Sequence, residues 1–332
     1  MSNTAISEPR EQGTIHTRRE GRVAIAEFDN PDGGFFTSHM VQELDRLTLE
    51  WENDKSIRAI IITGKNAGTF ITHYSPYELS ATSSQVKNCK TSAEVKRMRK
   101  LTRVITRFTH WLAKCPPLYR ILDVAARGSS IDALLAVNQF HRMLTRWQSM
   151  DKVIIAAING HSMGGGCEIA LACDFRLMAR GDYSLGLPEA IAGIMPGAGG
   201  SQRMARLIGA NKAIEYILTG RFFNADEAEQ AGLISRAVDE NTLMEEALGL
   251  AQQLAGQAPL SVAAVKRSIH QGIEKPMRQA LELESLHFLD TCVSVDAAQA
   301  GDYYLKKYHD GQTASEIFSE LRKGTEIEYE GN

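Results

Sequence analysis

Cysteine is scarce. The five cysteines in 332 residues, at 89, 115, 167, 173 and 292, are too scattered for a disulfide framework, and no CxxC pair suggests zinc or thiol redox work. That usage predicts a reducing compartment, and the cytoplasm as the location. Proline is also sparse, nine residues against 27 glycines, which excludes collagen-like and proline-rich classes. Neither sign of charge dominates: 37 Lys+Arg against 40 Asp+Glu leave a net charge of −3. Such a balance gives no global attraction to nucleic acid or to an anionic membrane, so neither partner is expected and any bound anion must be met locally. No run of ~18 apolar residues occurs, and the opening stretch lacks the apolar core of a signal peptide. With 43% hydrophobic and 23% charged residues, the chain reads as a globular protein of one large domain or two modest ones.

Along the chain, Gly13 to Phe28 predicts two strands around Glu20-Gly21, the second carrying Val23-Ala24-Ile25-Ala26. Ser38 is the expected N-cap of an amphipathic helix through Met40, Val41, Leu44 and Leu47. A strand is expected from Arg58 to Thr63, then a loop from Gly64 to Ala81 entering a short helix. From Thr82 to Met150 the chain is basic and helical in period, with Cys115-Pro116-Pro117 as a break. Trp111, Tyr119, Phe140 and Trp147 are expected to form that block's own core. Val153 to Ile158 predicts a strand, Asn159-Gly160 a tight turn and Gly164 to Ala172 a helix. A further strand follows near Asp174 to Ala179. Amphipathic helices are expected over Leu243 to Ala255 and Pro259 to Ile273, and a third from Pro276 towards Tyr308, broken near Val293-Ser294-Val295. This order argues for an α/β core with a helical tail.

Gly160-His161-Ser162-Met163-Gly164 fits G-x-S-x-G between a predicted strand and helix, the context of a nucleophile elbow. A serine hydrolase would then use Ser162 with an acid and one of His270, His287 or His309. That reading also wants an early oxyanion loop, commonly marked by His-Gly, and no such pair precedes Ser162. The alternative is a small residue that permits a sharp turn.

Gly164-Gly165-Gly166 at a helix start exposes unpaired backbone N–H groups at the positive end of the helix dipole, a place suited to a developing oxyanion. Glu168 follows in the first turn and is either a helix-start charge or an acid/base group. Glu189, in Gly186-Leu187-Pro188-Glu189, is either a solvated loop charge or a second acid/base group.

Read as a whole, the stretch resembles the crotonase (enoyl-CoA hydratase/isomerase) superfamily. The resemblance rests on Ile155-Ala156-Ala157-Ile158-Asn159-Gly160, Gly164-Gly165-Gly166-Cys167-Glu168, Cys173-Asp174, Gly186-Leu187-Pro188-Glu189, Pro196-Gly197-Ala198-Gly199-Gly200-Ser201-Gln202-Arg203, Leu218-Thr219-Gly220 and Ala228 to Leu233, in order and spacing. It implies a crotonase-like spiral of ββα units over residues 13–255, with a helical insertion at about 82–150 and a helical C-terminal region, residues 256–332, used in trimerisation. It implies an acyl-CoA thioester substrate, most simply a 2-enoyl-CoA that is hydrated, and no cofactor beyond the CoA of the substrate. Glu168 and Glu189 would be the acid/base pair, and the backbone N–H groups of Gly165 and Tyr74 the oxyanion hole. Substrate or CoA contacts are implied at Phe70, Thr72, His73, Gly164, Pro188, Gly197 and Lys266, with Lys306-Lys307 near CoA phosphates of a neighbouring subunit. Assembly as a trimer or a dimer of trimers is implied likewise. The fold also hosts double-bond isomerisation, C–C hydrolysis and decarboxylation.

The chain departs from the family pattern in three places. Thr72-His73-Tyr74-Ser75 stands where small residues are usual, and Phe35-Phe36 replaces an Asn-Ala pair. The block from Thr82 to Met150 is longer than the family needs, with Lys96, Arg97, Arg99, Lys100, Arg103 and Arg107 on one stretch. It reads as a solvated helical face, or else as a lid over the acyl pocket or a basic patch for CoA phosphates.

Overall fold

The alternating Val23-Ala24-Ile25-Ala26 run does form a strand, and a hairpin opens the fold. In the computed structural model, which describes residues 13–80, 91–112, 132–323 and 327–331, β1 (Thr14–Glu20) pairs antiparallel with β2 (Val23–Asp29). Gly21 turns the chain at φ +60°, a conformation that glycine adopts at no steric cost. In chain order there follow β3 (Ala59–Gly64), β4 (Gly68–Ile71), β5 (Val153–Ile158), β6 (Gly160–Met163), β7 (Phe175–Ala179), β8 (Leu185–Gly186), β9 (Phe222–Phe223) and β10 (Arg236–Val238).

The strands form two sheets, β1-β2-β3-β5-β7-β10 and β4-β6-β8-β9. Each turn of the chain lays one strand in each sheet: β3 then β4, β5 then β6, β7 then β8. This is the spiral of ββα units, and an α/β fold. β3 and β5 are buried along their whole length, as strands covered on both faces must be. Ile60 and Ile62 face the main core with Phe36, Phe70 and Trp147, while Ala59 and Ile61 face a second core with Leu243, Ala247 and Ala251.

Asn159-Gly160 makes the corner between the sheets. A Cβ on Gly160 would lie 1.9 Å from the carbonyl carbon of Gly68, so only glycine allows β6 to approach β4. Asn159 Nδ2 donates to the carbonyls of Gly64 and Asn66, and its Oδ1 accepts the Gly64 N–H.

The helices are α1 (Ser38–Asn53), α2 (Ser92–Leu112), α3 (Asp132–Trp147), α4 (Gly165–Ala172), α5 (Gly200–Ile208), α6 (Ala210–Thr219), α7 (Ala225–Ala231), α8 (Leu243–Ala255), α9 (Pro259–Gly272), α10 (Met277–Cys292), α11 (Val295–His309) and α12 (Ala314–Lys323). The expected break falls between α10 and α11, where Ser294 caps the second helix.

Several expectations need correction. The N-cap of α1 is Thr37, which accepts the Met40 N–H, because the Ser38 N–H and hydroxyl are turned to Glu78. β4 and β6 replace an expected loop and turn. Phe140 and Trp147 do not form a separate core: both are buried in the main one, where Phe140 packs on Phe36 at 5.5 Å between ring centroids. Arg146 of α3 also donates to Asp45 of α1 at 2.8 Å. Cys89, Cys115, the Pro116-Pro117 break and Tyr119 lie outside the described residues, and the side chains of Trp111 and Arg99 are not described. Lys96, Arg97, Lys100, Arg103 and Arg107 are exposed on α2, which is the solvated-face reading.

Candidate active site

The end of β6 joins two loops. The Met163 N–H donates to the Thr72 carbonyl and the Gly164 N–H to the Gly186 carbonyl, both at 2.9 Å. These bonds bring the loop with His73 and Tyr74 to one side of the start of α4, and the loop with Pro188 and Glu189 to the other. Gly164 sits between them at φ +49°, where a Cβ would lie 3.1 Å from Glu189 Oε1 and 3.6 Å from His73 Cβ.

α4 begins at Gly165, and its first intrahelical bond runs from the Glu168 N–H to the Gly164 carbonyl. Helix geometry therefore leaves the N–H groups of Gly165, Gly166 and Cys167 without intrahelical acceptors. Opposite them, Phe36 and Tyr74 form a parallel bridge in which the Phe36 N–H donates to His73 and the Ser75 N–H donates to Phe36. That pattern turns the Tyr74 N–H away from Phe36. A Cβ placed on Gly165 would lie 3.4 Å from the Tyr74 backbone nitrogen. The two backbone groups expected to make an oxyanion hole are thus neighbours.

Both glutamates lie at this point. Glu168 is buried, 3% exposed, and its Oε1 accepts the N–H groups of Ala198 at 2.7 Å and Gly200 at 2.8 Å. Burial pushes its carboxyl up to about 7, and the nearby Glu189 pushes the same way. The two N–H groups and the Arg203 guanidinium pull against this rise. Glu189 opens a short 3-10 turn after Pro188 and is half-buried, with its Oε2 lacking a hydrogen-bond partner. Burial raises its carboxyl as well. Two neighbouring carboxyls, both raised by burial, can exchange a proton with a bound molecule in either direction.

The loop residues are held by their side chains. Tyr74 Oη donates to Glu78 at 2.5 Å, and Glu78 also accepts from Ser38. Thr72 Oγ1 donates to the Gly33 carbonyl at 2.6 Å. His73 stacks on Phe35 at 4.7 Å, with its Nδ1 facing the Tyr74 carbonyl at 2.8 Å. Phe35 thus builds an aromatic edge with His73 and Tyr77.

Other expected contacts are elsewhere. Phe70 is 1% exposed and packs edge-to-face on Phe28, so it belongs to the core. Lys266 is buried, its Nζ donating to the Lys152 carbonyl at 2.7 Å and to Asp174 at 2.8 Å. It is a structural ion pair, not a phosphate contact. Lys307 pairs with Glu320 at 3.1 Å. Gly197 is exposed, and its carbonyl accepts from His141. Ser162 is fully buried and its Oγ has no hydrogen-bond partner among the described residues, so no described base is placed to activate it, which speaks against the nucleophile reading. Leaving Asp174 without Lys266 uncovers a buried charge, so Lys266→Met should cost about 3–5 kcal/mol of stability. Chemical denaturation would measure that loss, and KM for an acyl-CoA should stay within about twofold of wild type.

Sequence reasoning missed the backbone donors to Glu168. A Cβ on Gly200 would lie 2.8 Å from Glu168 Cγ, and the signal for this contact was the paired glycine in Gly199-Gly200.

The chain is similar to known proteins in sequence and in fold. A family model described as Enoyl-CoA hydratase/isomerase matches residues 121–310. The chain is 28% identical over 298 residues to the short-chain-enoyl-CoA hydratase of Clostridium acetobutylicum, covering 90% of this chain and 96% of that one. It is 42% identical over 150 residues to the short-chain-enoyl-CoA hydratase of Clostridioides difficile, covering 45% of this chain and 95% of that protein. The crystal structure of enoyl-CoA hydratase from Bacillus anthracis superimposes with a TM-score of 0.70 at 24% identity, over 96% of this chain and 99% of that one, a likeness of fold.

Proposed function

Because the chain belongs to the enoyl-CoA hydratase/isomerase family, we propose that it is a hydro-lyase which adds water to a 2-enoyl-CoA to give a 3-hydroxyacyl-CoA. The observation that carries the reading is the pair of carboxyls, buried Glu168 and half-buried Glu189, beside two backbone N–H groups. The thioester oxygen is bound between the N–H groups of Gly165 and Tyr74. One carboxylate takes a proton from water as its oxygen bonds to Cβ, the electron pair of the double bond moves to the enolate oxygen, and the other carboxyl protonates Cα. Donors aimed at the enolate oxygen stabilise the charge where it develops. The aromatic edge of Phe35, His73 and Tyr77 supports a narrowed entrance beside Thr72. Gly164 and Pro188 would line the substrate side.

The chemistry requires no cofactor beyond the substrate's CoA. The apolar residues exposed on α10, among them Leu281, Phe288 and Leu289, fit burial against other copies of the chain in a trimer or a dimer of trimers. Residues 256–332 would then be the assembly region on a spiral core of residues 13–255. No described helix is long and apolar enough to cross a membrane, and the free thiols of Cys167, Cys173 and Cys292 fit a cytoplasmic location.

The test is loss of conjugated enoyl-thioester absorbance across a panel of 2-enoyl-CoA chain lengths, with product mass as control. Rapid loss with a gain of one water is expected. Loss of absorbance without a mass change would mean isomerisation, and no loss on any chain length would overturn the reading.

A further inference from the structure

The loop that holds Glu168 is itself held, and its support comes from α3. Gly197 C=O and Ala198 N–H belong to one peptide group. The carbonyl end accepts from His141 Nε2, and the N–H end donates to Glu168 Oε1 at 2.7 Å. The second peptide group aimed at Glu168 is anchored in the same manner: the Gly199 carbonyl accepts the Arg203 N–H at 2.9 Å, and the Gly200 N–H donates to Oε1 at 2.8 Å. Because a carbonyl only accepts, Nε2 of His141 must carry the proton. We propose that His141 is a positioning residue for Glu168, acting through the Gly197–Ala198 peptide group to fix the carboxylate and favour its ionised form. This rests on the acid/base reading of Glu168 above.

A donor on a peptide carbonyl polarises the N–H at the other end of the same group, so hydrogen bonds in a chain strengthen one another. The effect matters here because burial opposes ionisation of Glu168, and few groups counter it. Glu189 on the neighbouring loop adds to the penalty, while the Ala198 and Gly200 N–H groups and Arg203 of α5 reduce it. Cys167, its neighbour on α4, is buried with its thiol pushed well above the ordinary range, so it contributes no charge. Removing the His141 donor therefore weakens one of two direct bonds to the anion. His141 itself lines a cavity of about 270 Å³ with Arg203, Arg206, His270 and Glu274. Arg206 is paired with Glu274.

His141 is half-buried, so substitution should be tolerated by the fold. The experiment compares wild type, His141→Leu, which fills similar space without a donor, and His141→Gln, which restores an N–H of similar reach. Two readouts are taken: the pH dependence of kcat, and an infrared titration of the protonated carboxyl band assigned by its absence in Glu168→Gln. In His141→Leu, weaker stabilisation of the anion should move the Glu168 titration about half a pH unit or more upward. kcat should fall about tenfold, with KM within about twofold. His141→Gln should return both towards wild type. An unchanged Glu168 titration in His141→Leu, even with lower stability, would make His141 merely structural and overturn the proposal. If His141→Leu does not fold, His141→Asn, polar but too short to reach Gly197, carries the same test. Full activity in Glu168→Gln would instead remove the acid/base reading, and the infrared titration would still decide the role of His141.

Discussion

Glu168→Gln should lower the hydration rate about 1,000-fold and, above pH 7, give a protein more stable than wild type. Loss of a positioned acid/base group costs typically 100- to 10,000-fold. The neutral amide oxygen can still accept the Ala198 and Gly200 N–H groups, so the site should stay in shape. The stability gain follows from linkage. Burial moves the Glu168 carboxyl from its ordinary 4.5 up to about 7, so between those values the folded protein binds more protons than the unfolded chain. Stability must therefore fall as pH rises through this window and level off above it. The difference corresponds to about 3 kcal/mol. Glu168→Gln removes this slope. Thermal melts at pH 5 and pH 8 should show the variant gaining on wild type only at the higher pH. Equal pH dependence in both proteins would mean that Glu168 is not the buried titrating group. Glu189→Gln should cause a comparable fall in kcat. The double variant should lose little more than either single one, since in the proposed mechanism the two carboxyls act in one proton-transfer sequence.

The chemistry-bearing part of this site was more legible in the sequence than the elements that support it. Gly164-Gly165-Gly166 and Glu168 could be placed because three glycines followed by helical spacing have one economical structural meaning, a tight approach to a helix start. β4 and β6 were invisible, since Gly68-Thr69-Phe70-Ile71 and Gly160-His161-Ser162-Met163 have no apolar alternation. They are strands because the spiral lays them side by side and supplies their partners. Lys266 was misassigned for a related reason. Its partner Asp174 is 92 positions away, and a lysine's sequence neighbours do not reveal a buried carboxylate across the fold. Backbone donors have no side-chain signature, so the Ala198 and Gly200 N–H groups were marked in the sequence only by the Gly199-Gly200 pair that allows the close approach to Glu168. His141 lay within a block read as an insertion, whereas α3 packs on α1 and reaches the loop behind Glu168.

Two neighbouring glycines should separate folding from chemistry. At Gly165 an added Cβ meets the Tyr74 Cβ and backbone nitrogen at 3.4 Å, ordinary contact for the fold, and alanine favours a helix over glycine by up to about 1 kcal/mol. Gly165→Ala should therefore fold with stability within about 1 kcal/mol of wild type. Yet its methyl group would lie beside the Tyr74 backbone nitrogen, in the space that the proposed mechanism gives to the enolate oxygen. Loss of even one oxyanion donor costs about 100- to 1,000-fold, and kcat/KM should fall at least that far. At Gly166 the added Cβ would lie 2.3 Å from the Ile71 carbonyl oxygen and 2.8 Å from Ile71 Cβ. Backbone cannot rotate away as a side chain can, so β4 must shift from α4, at a cost of about 1–3 kcal/mol. Because β4 leads into the loop carrying Tyr74, Gly166→Ala should lose stability and activity together. Denaturant midpoints and kcat/KM measured on the same preparations would distinguish the two cases. A fully active Gly165→Ala would place the thioester oxygen somewhere other than between Gly165 and Tyr74, and the enolate would then need a different set of donors.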